Sequence, residues 1–170
     1  MTAALVYGVE RPSDRVFVIR SWIDSYRTAH SAGMIAMRDW IDVMAPQVER
    51  VLARRGCRVW VAHHGDAEPG ADLYGWLAAE TAADPLVHYC YVKQAYRRMG
   101  IARGLLRLAE IDPTRRFRYS CKTGVVSKLG AQIPYAVWTP LVVRYDSCQD
   151  ARHGQPEDQP CTPPGEAADR

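Results

Sequence analysis

Leu86–Lys93 (LVHYCYVK) is an unbroken aromatic and β-branched run, free of glycine and proline, and it reads as a buried strand. A short basic loop follows. The chain then resumes at Gly100 with Ile101, Leu105, Leu108 and Ala109 at helical spacing. A strand that opens through a loop into a glycine-started helix leaves unpaired amide hydrogens at the helix start. The helix dipole adds partial positive charge there. Gly100 lets a ligand oxygen approach the main chain without a β-carbon in the way, and Ala102 keeps the next position small. A diphosphate suits such a place.

Charge supports this reading once it is divided along the chain. The net charge of +3 says little. Between Val92 and Lys128, however, Lys93, Arg97, Arg98, Arg103, Arg107, Arg115, Arg116, Arg118, Lys122 and Lys128 face only Glu110 and Asp112, a local charge of +8. A phosphate-rich ligand is expected there: a nucleotide-type cofactor, nucleic acid, or both. From Asp146 to Arg170 the balance is −4, with Pro156, Pro160, Pro163 and Pro164 and almost no apolar residue. Residues 146–170 are therefore expected to be a disordered acidic tail. Residues 1–14 are expected to be loose, and residues 15–145 to form a single domain.

The remaining elements follow from periodicity and punctuation. Arg15–Trp22 alternates like a strand, and Ile23–Met44 is a helical region in which Gly33 separates two helices or marks a bend. Pro46 suits the first turn of a new helix that Gly56 ends. Cys57–His63 and Leu73–Thr81 read as strands, then Leu86–Lys93, then a helix over Gly100–Ile111. Phe117–Cys121 is a short strand, Thr123–Leu129 a short helix, and Ala136–Tyr145 a last strand in which Pro140 marks an edge or bulge. The order β, α, α, β, β, β, α, β, α, β gives an α/β domain with a mixed central sheet.

Other functions are excluded on composition and spacing. No apolar run approaches the roughly 18–20 residues of a membrane span, and the N-terminus lacks the pattern of a secretory signal. The five cysteines are scattered without a C-x-x-C pair. They read as reduced thiols in a cytoplasmic protein, and no cluster suits a structural metal.

Arg97-Arg98-Met99-Gly100-Ile101-Ala102, placed after a strand and before an amphipathic helix, resembles the acyl-CoA-binding motif of the GCN-five-related N-acetyltransferase (GNAT) family, (Gln/Arg)-x-x-Gly-x-(Gly/Ala). The element order is similar to that family from Val16 to Tyr145. The resemblance implies a mixed, mostly antiparallel sheet flanked by helices and splayed at the cofactor strand. It implies acetyl-CoA as co-substrate and direct transfer of the acetyl group to an amine. Main-chain amides from Arg98 to Arg103 would cradle the pyrophosphate, and the edge of Cys90, Tyr91 and Val92 would pair with the pantetheine arm. Lys93, Arg97, Arg98 or Arg103 would reach the 3′-phosphate.

Acid–base groups depart from the family pattern. Members often carry a glutamate where this chain has Leu86, and His88, on the same strand face, is the first choice for base. Glu80 is the second. The family's Tyr-x-Lys-x-Gly-Phe reads here Val126-Ser127-Lys128-Leu129-Gly130-Ala131, so the usual tyrosine acid is missing and Ser127 or Tyr135 would replace it. The Val92 amide would polarise the thioester carbonyl. Trp22, Tyr26, His30 and Trp40, with Arg20, Arg27 and Arg38, are expected to wall an acceptor that bears phosphate or carboxylate. Two alternatives stand beside the amine acetyltransferase. One is a nucleic-acid-modifying or nucleic-acid-binding protein on the same fold, of the phage Mom type. The other is a binding module without activity.

Overall fold

In the computed structural model, residues 5–29, 34–65, 73–121 and 136–138 are described. Six strands form one sheet in the order β1-β2-β3-β4-β5-β6. They are β1 Leu5–Val9, β2 Cys57–His64, β3 Leu73–Glu80, β4 Leu86–Val92, β5 Phe117–Tyr119 and β6 Ala136–Trp138. Three helices flank them: α1 Arg15–Ala29, α2 Met37–Leu52 and α3 Ile101–Leu108. Strands β1 to β4 pair antiparallel, whereas β4–β5 and β5–β6 pair parallel. The sheet is thus mixed and mostly antiparallel. Among the described residues, no helix is long and apolar enough to cross a membrane.

Apolar residues cover both faces of the sheet. On one face, Val18, Trp22 and Ile23 of α1 and Met44, Val48 and Leu52 of α2 meet Val59, Trp76, Ala78 and Tyr89. Trp22 stacks on Tyr89 with ring centroids 5.0 Å apart, and the buried Trp76 donates its indole N–H to Ser21 Oγ at 2.8 Å. On the other face, Ile101 and Leu105 of α3 and Ala109 just after it pack on Trp60, Leu77, Ala79 and Val87. Each helix presents one apolar stripe, so neither could stand without the sheet between them.

Four expectations need correction. Arg15–Trp22 is the start of α1, not a strand. Its eight residues fit a period of two, but the buried Val18, Ser21, Trp22 and Ile23 recur at helical spacing, and Ser21 donates back to the Phe17 carbonyl at 2.7 Å. Pro46 lies inside α2. The bond lost at its nitrogen is outweighed by burial of Met44, Val48 and Leu52 on both sides of it. The segment expected to be loose contains β1, paired from Leu5↔His64 to Val9↔Trp60. Trp22, expected to face an acceptor, is 5% exposed and belongs to the core. The expected helix Thr123–Leu129, residues 139–145 of the expected last strand, and the acidic tail lie outside the described residues.

Two glycines set how closely elements approach. A Cβ at Gly75 would stand 2.6 Å from the Tyr91 carbonyl oxygen and 3.2 Å from Ile101 Cγ2 and Val92 Cγ2. A Cβ at Gly104 would overlap the Tyr7 ring, so β1 and α3 touch through that position. Because the nearest atom at Gly75 is main chain, it cannot swing aside. Gly75→Ala should therefore cost about 1–3 kcal/mol, read as a lower urea midpoint with an unchanged slope.

Candidate functional site at the β4–β5 fork

Strand β4 carries one extra residue relative to β3. Ala78 pairs with Tyr89 and Ala79 with Val87, leaving His88 as the bulge. The bulge re-aims the strand. Val87 packs with α3, while Tyr89 and Tyr91 pack toward α1 and α2. Beyond the bulge, β4 and β5 part. Their pairing covers Leu86↔Arg118 and Val87↔Tyr119. It is held by Arg118 N–H to Pro85 O at 2.8 Å and Ser120 N–H to Val87 O at 3.0 Å. Among the described residues, nothing pairs with the outer edge of β4 after Val87.

Strand alternation identifies which groups that edge presents. Lys93 N–H bonds Tyr74 O at 2.9 Å, so the groups of Tyr91 face β3 and those of Cys90 and Val92 face the fork. Arg97 Nε donates to Val92 O at 3.1 Å, leaving the Val92 amide open. Cys90 is exposed, and desolvation by neighbouring protein atoms pushes its thiol upward to about 12. It is a neutral thiol there, not a thiolate.

The loop after β4 is anchored and then turned sharply. Tyr96 stacks on Tyr74 at 4.1 Å, and the Lys93 ammonium lies 5.0 Å from the Phe17 ring centre. Arg98 (φ 68°) and Gly100 (φ 81°) both adopt the left-handed conformation, which brings the chain into α3. Successive main-chain N–H groups in such a turn form a concave anion-binding nest. The first main-chain bond of α3 runs from Gly104 N–H to Gly100 O. The amides from Arg98 to Arg103 thus have no main-chain acceptor among the described residues, and no side chain caps the helix. Ile101 is buried and roots the turn, Ala102 is half-buried, and Met99, Arg98 and Arg103 are exposed. Of the four cations weighed for a phosphate, Lys93 and Arg97 are engaged within the protein, whereas Arg98 and Arg103 project outward.

His88 sits where the fork begins. Its side chain is fully buried, with Nε2 3.0 Å from Glu80 Oε1 and Nδ1 3.0 Å from Ser120 Oγ. Arg54 Nε donates to the same Glu80 oxygen at 2.6 Å. Burial holds His88 below the usual 6.5 despite Glu80 beside it. Burial pulls Glu80 upward, but hydrogen bonds from Arg54 and His88 outweigh this and hold it below the usual 4.5. Near neutral pH the pair is therefore carboxylate and neutral imidazole. A carboxylate only accepts, so Nε2 carries the proton and Nδ1 accepts from the Ser120 hydroxyl.

Both residues proposed as base thus come together, but His88 has no nitrogen free to meet a substrate. Ser127 and Tyr135 lie outside the described residues. Ser120 and Arg54 escaped the sequence reading, because only the register of β4 against β5 and the approach of α2's end to β3 bring them to His88. Among the described residues, no group of His, Cys, Asp and Glu could hold a metal ion.

Solved structures place this architecture. A protein from Pyrococcus furiosus assigned as an acetyl transferase superposes with a TM-score of 0.50 at 15% identity, covering 94% of this chain and 99% of that one. The chain has the GNAT fold. An integron cassette protein from the mobile metagenome of V. cholerae superposes at TM-score 0.49 and 15% identity, covering 75% and 81%. The ribosomal-protein-alanine N-acetyltransferase of Brucella melitensis biovar Abortus does so at 0.41 and 16%, covering 84% of each chain. No family model matches the sequence, and no curated protein matches it.

Protonation of the buried pair should be visible in stability. The unfolded chain protonates His88 below pH 6.5 while the folded chain resists, so its contribution is complete above 6.5 and fades as pH falls below that. Glu80 adds a second loss below 4.5. The unfolding free energy read from urea melts should fall as pH drops below about 6.5, by at most about 1.4 kcal/mol per pH unit for one proton. His88→Gln should flatten that limb. An equal slope in the variant would remove His88 as its cause.

Proposed function

We propose that this protein is an acetyl-CoA-dependent N-acyltransferase that passes an acetyl group to an amine. One observation carries the reading: an unpaired strand edge at Cys90–Val92 ends beside six main-chain amides, Arg98 to Arg103, that lack acceptors among the described residues. An extended amide-bearing arm can add to the first, and a diphosphate can sit on the second. CoA offers both at the right order along its length.

In this reading Tyr91 and Ile101 are scaffold, buried or half-buried on opposite faces. Cys90 and Val92 line the arm, and the Val92 amide polarises the thioester carbonyl. Gly100 and Ala102 keep the nest open, Met99 flanks it, and Arg98 or Arg103 takes the 3′-phosphate, with Lys93 and Arg97 fixing the loop. The amine enters from the α1–α2 side, where Tyr26 stacks on Trp40 at 6.2 Å. Tyr135 and Ser127 remain candidates for the acid that protonates the departing thiolate.

A nucleic-acid acceptor is the second reading. The phosphates of CoA supply about four negative charges, whereas Arg98, Arg103, Arg107 and Arg116 are all exposed without an acidic partner among the described residues, and Arg115 is held only loosely by Asp112 at 3.6 Å. Such a surplus suits a polyanion.

Acetyl-CoA at about a hundred times its dissociation constant should stabilise the folded chain by about 2.7 kcal/mol, seen as a rise of several degrees in melting temperature. Gly100→Glu should abolish the rise. A Cβ at Gly100 meets no atom within 4 Å, and the left-handed backbone there costs a non-glycine residue about 1–2 kcal/mol. No rise in the wild type would count against the carrier. Duplex DNA binding that weakens steeply with salt would support the second reading, and no binding at low salt would remove it.

A further inference from the structure

We propose that the acidic segment at residues 146–170 docks on the outer arginine face of α3 and competes there with phosphate-bearing ligands. The face is built by helical spacing. Ile101 and Leu105 turn inward to the sheet, which leaves Arg103 and Arg107, four positions apart, together on the outside. Arg98 precedes them in the turn after β4, and Arg116 follows the helix just before β5. All four are exposed, and none has an acidic partner among the described residues. Their neighbours differ, since Arg118 pairs with Asp84 at 2.9 Å and Arg115 lies 3.6 Å from Asp112. Guanidinium groups strung along a helix about 12 Å long repel one another unless an anion lies among them.

Charge and strand direction pick out the occupant. Residues 146–170 carry Asp146, Asp150, Glu157, Asp158, Glu166 and Asp169 against Arg152 and Arg170, a net −4 that matches the four unpartnered arginines. Strands β4, β5 and β6 run parallel, with Val87, Tyr119 and Trp138 in one row. The chain therefore leaves β6 heading toward the end of the sheet where β4 reaches Val92 and the turn at Arg98 opens α3. Two strand spacings, about 10 Å, separate β6 from β4. A coil of 25 residues spans roughly 25–30 Å, so the segment covers that step with length to spare.

Each carboxylate–arginine pair on such a surface is weak alone. Attachment to the same chain holds the acids near the arginines at an effective concentration in the millimolar range, so weak pairs suffice together. A ligand phosphate then meets Arg98 and Arg103 only when the acids have left them. The segment thus lowers the affinity of the face for small anions and yields it to a strong polyanion. That it screens the phosphates of the carrier rests on the function proposed above, while the docking itself does not.

Tripolyphosphate is the probe, titrated calorimetrically into the full chain at about 0.1 M salt, where charges further apart than about 10 Å are screened. Neutralising the six acids together (Asp146→Asn, Asp150→Asn, Glu157→Gln, Asp158→Asn, Glu166→Gln and Asp169→Asn) should tighten binding about tenfold, the gain when the segment occupies the face about nine-tenths of the time. In a chain carrying Arg107→Ser and Arg116→Ser, the same neutralisation should gain less than about threefold, because the segment has lost half its partners. Neutralising Asp24, Asp39 and Asp42 instead, on the helices across the sheet, should leave the affinity unchanged. Without any ligand, the amide resonances of Arg103 and Arg107 should move when the six acids are neutralised. No gain, an equal gain in the serine pair, an equal gain from the three distant acids, or unmoved resonances would each overturn the proposal. Failure of tripolyphosphate to bind the neutralised chain overturns it too, since no anion face then exists. If the gain appears but acetyl-CoA leaves the melting temperature unchanged, the docking stands and the carrier falls. If acetyl-CoA raises the melting temperature and the gain is absent, the carrier stands and the docking falls.

Discussion

The pairing of β5 with β4 is short: it covers Leu86↔Arg118 and Val87↔Tyr119 and ends with the bond from Ser120 N–H to Val87 O. Where it stops decides what the molecule can do. Parallel strands in a closed sheet satisfy each other along their length. Here the outer groups of Cys90 and the Val92 amide are left for something else. An unsatisfied edge in mid-sheet is costly unless water or a ligand meets it. The bulge at His88 produces the parting, since one added residue turns β4 away just after the last shared bond.

The two packed faces serve this gap differently. The α1–α2 face is a stack of rings, with Trp22, Trp76 and Tyr89 layered at 5.0–5.6 Å, and it resists deformation. The α3 face is aliphatic and admits the helix closely because Gly75 has no side chain. One layer gives the gap a rigid wall, and the other delivers a row of amides to its mouth.

Much of this was legible in sequence. The runs at Cys57, Leu73 and Leu86 announced strands because their apolar residues are dense and β-branched. Gly100 announced a turn that only glycine enters cheaply, and Ile101, Leu105 and Ala109 announced the helix behind it. Arg15–Trp22 misled because a short β-branched window satisfies both periods, and the helix is fixed by distant partners such as Trp76 and Tyr89. Leu5–Val9 was missed because an edge strand broken by Gly8 shows almost no alternation. The meeting of Ser120, His88 and Glu80 was illegible for a different reason. It depends on a bulge and on a parallel register between strands separated by a whole helix, and neither leaves a local mark.

The contact between Tyr7 and Gly104 carries a consequence for how the chain assembles. The first strand has no neighbour until Cys57–His64 is made, and its ring finds its seat only once Ile101–Leu108 has coiled. Segments far apart in the chain therefore share in holding the amide row in place. The region that would grip a ligand thus leans on the first strand through Tyr7, so a change in that ring would be felt along α3.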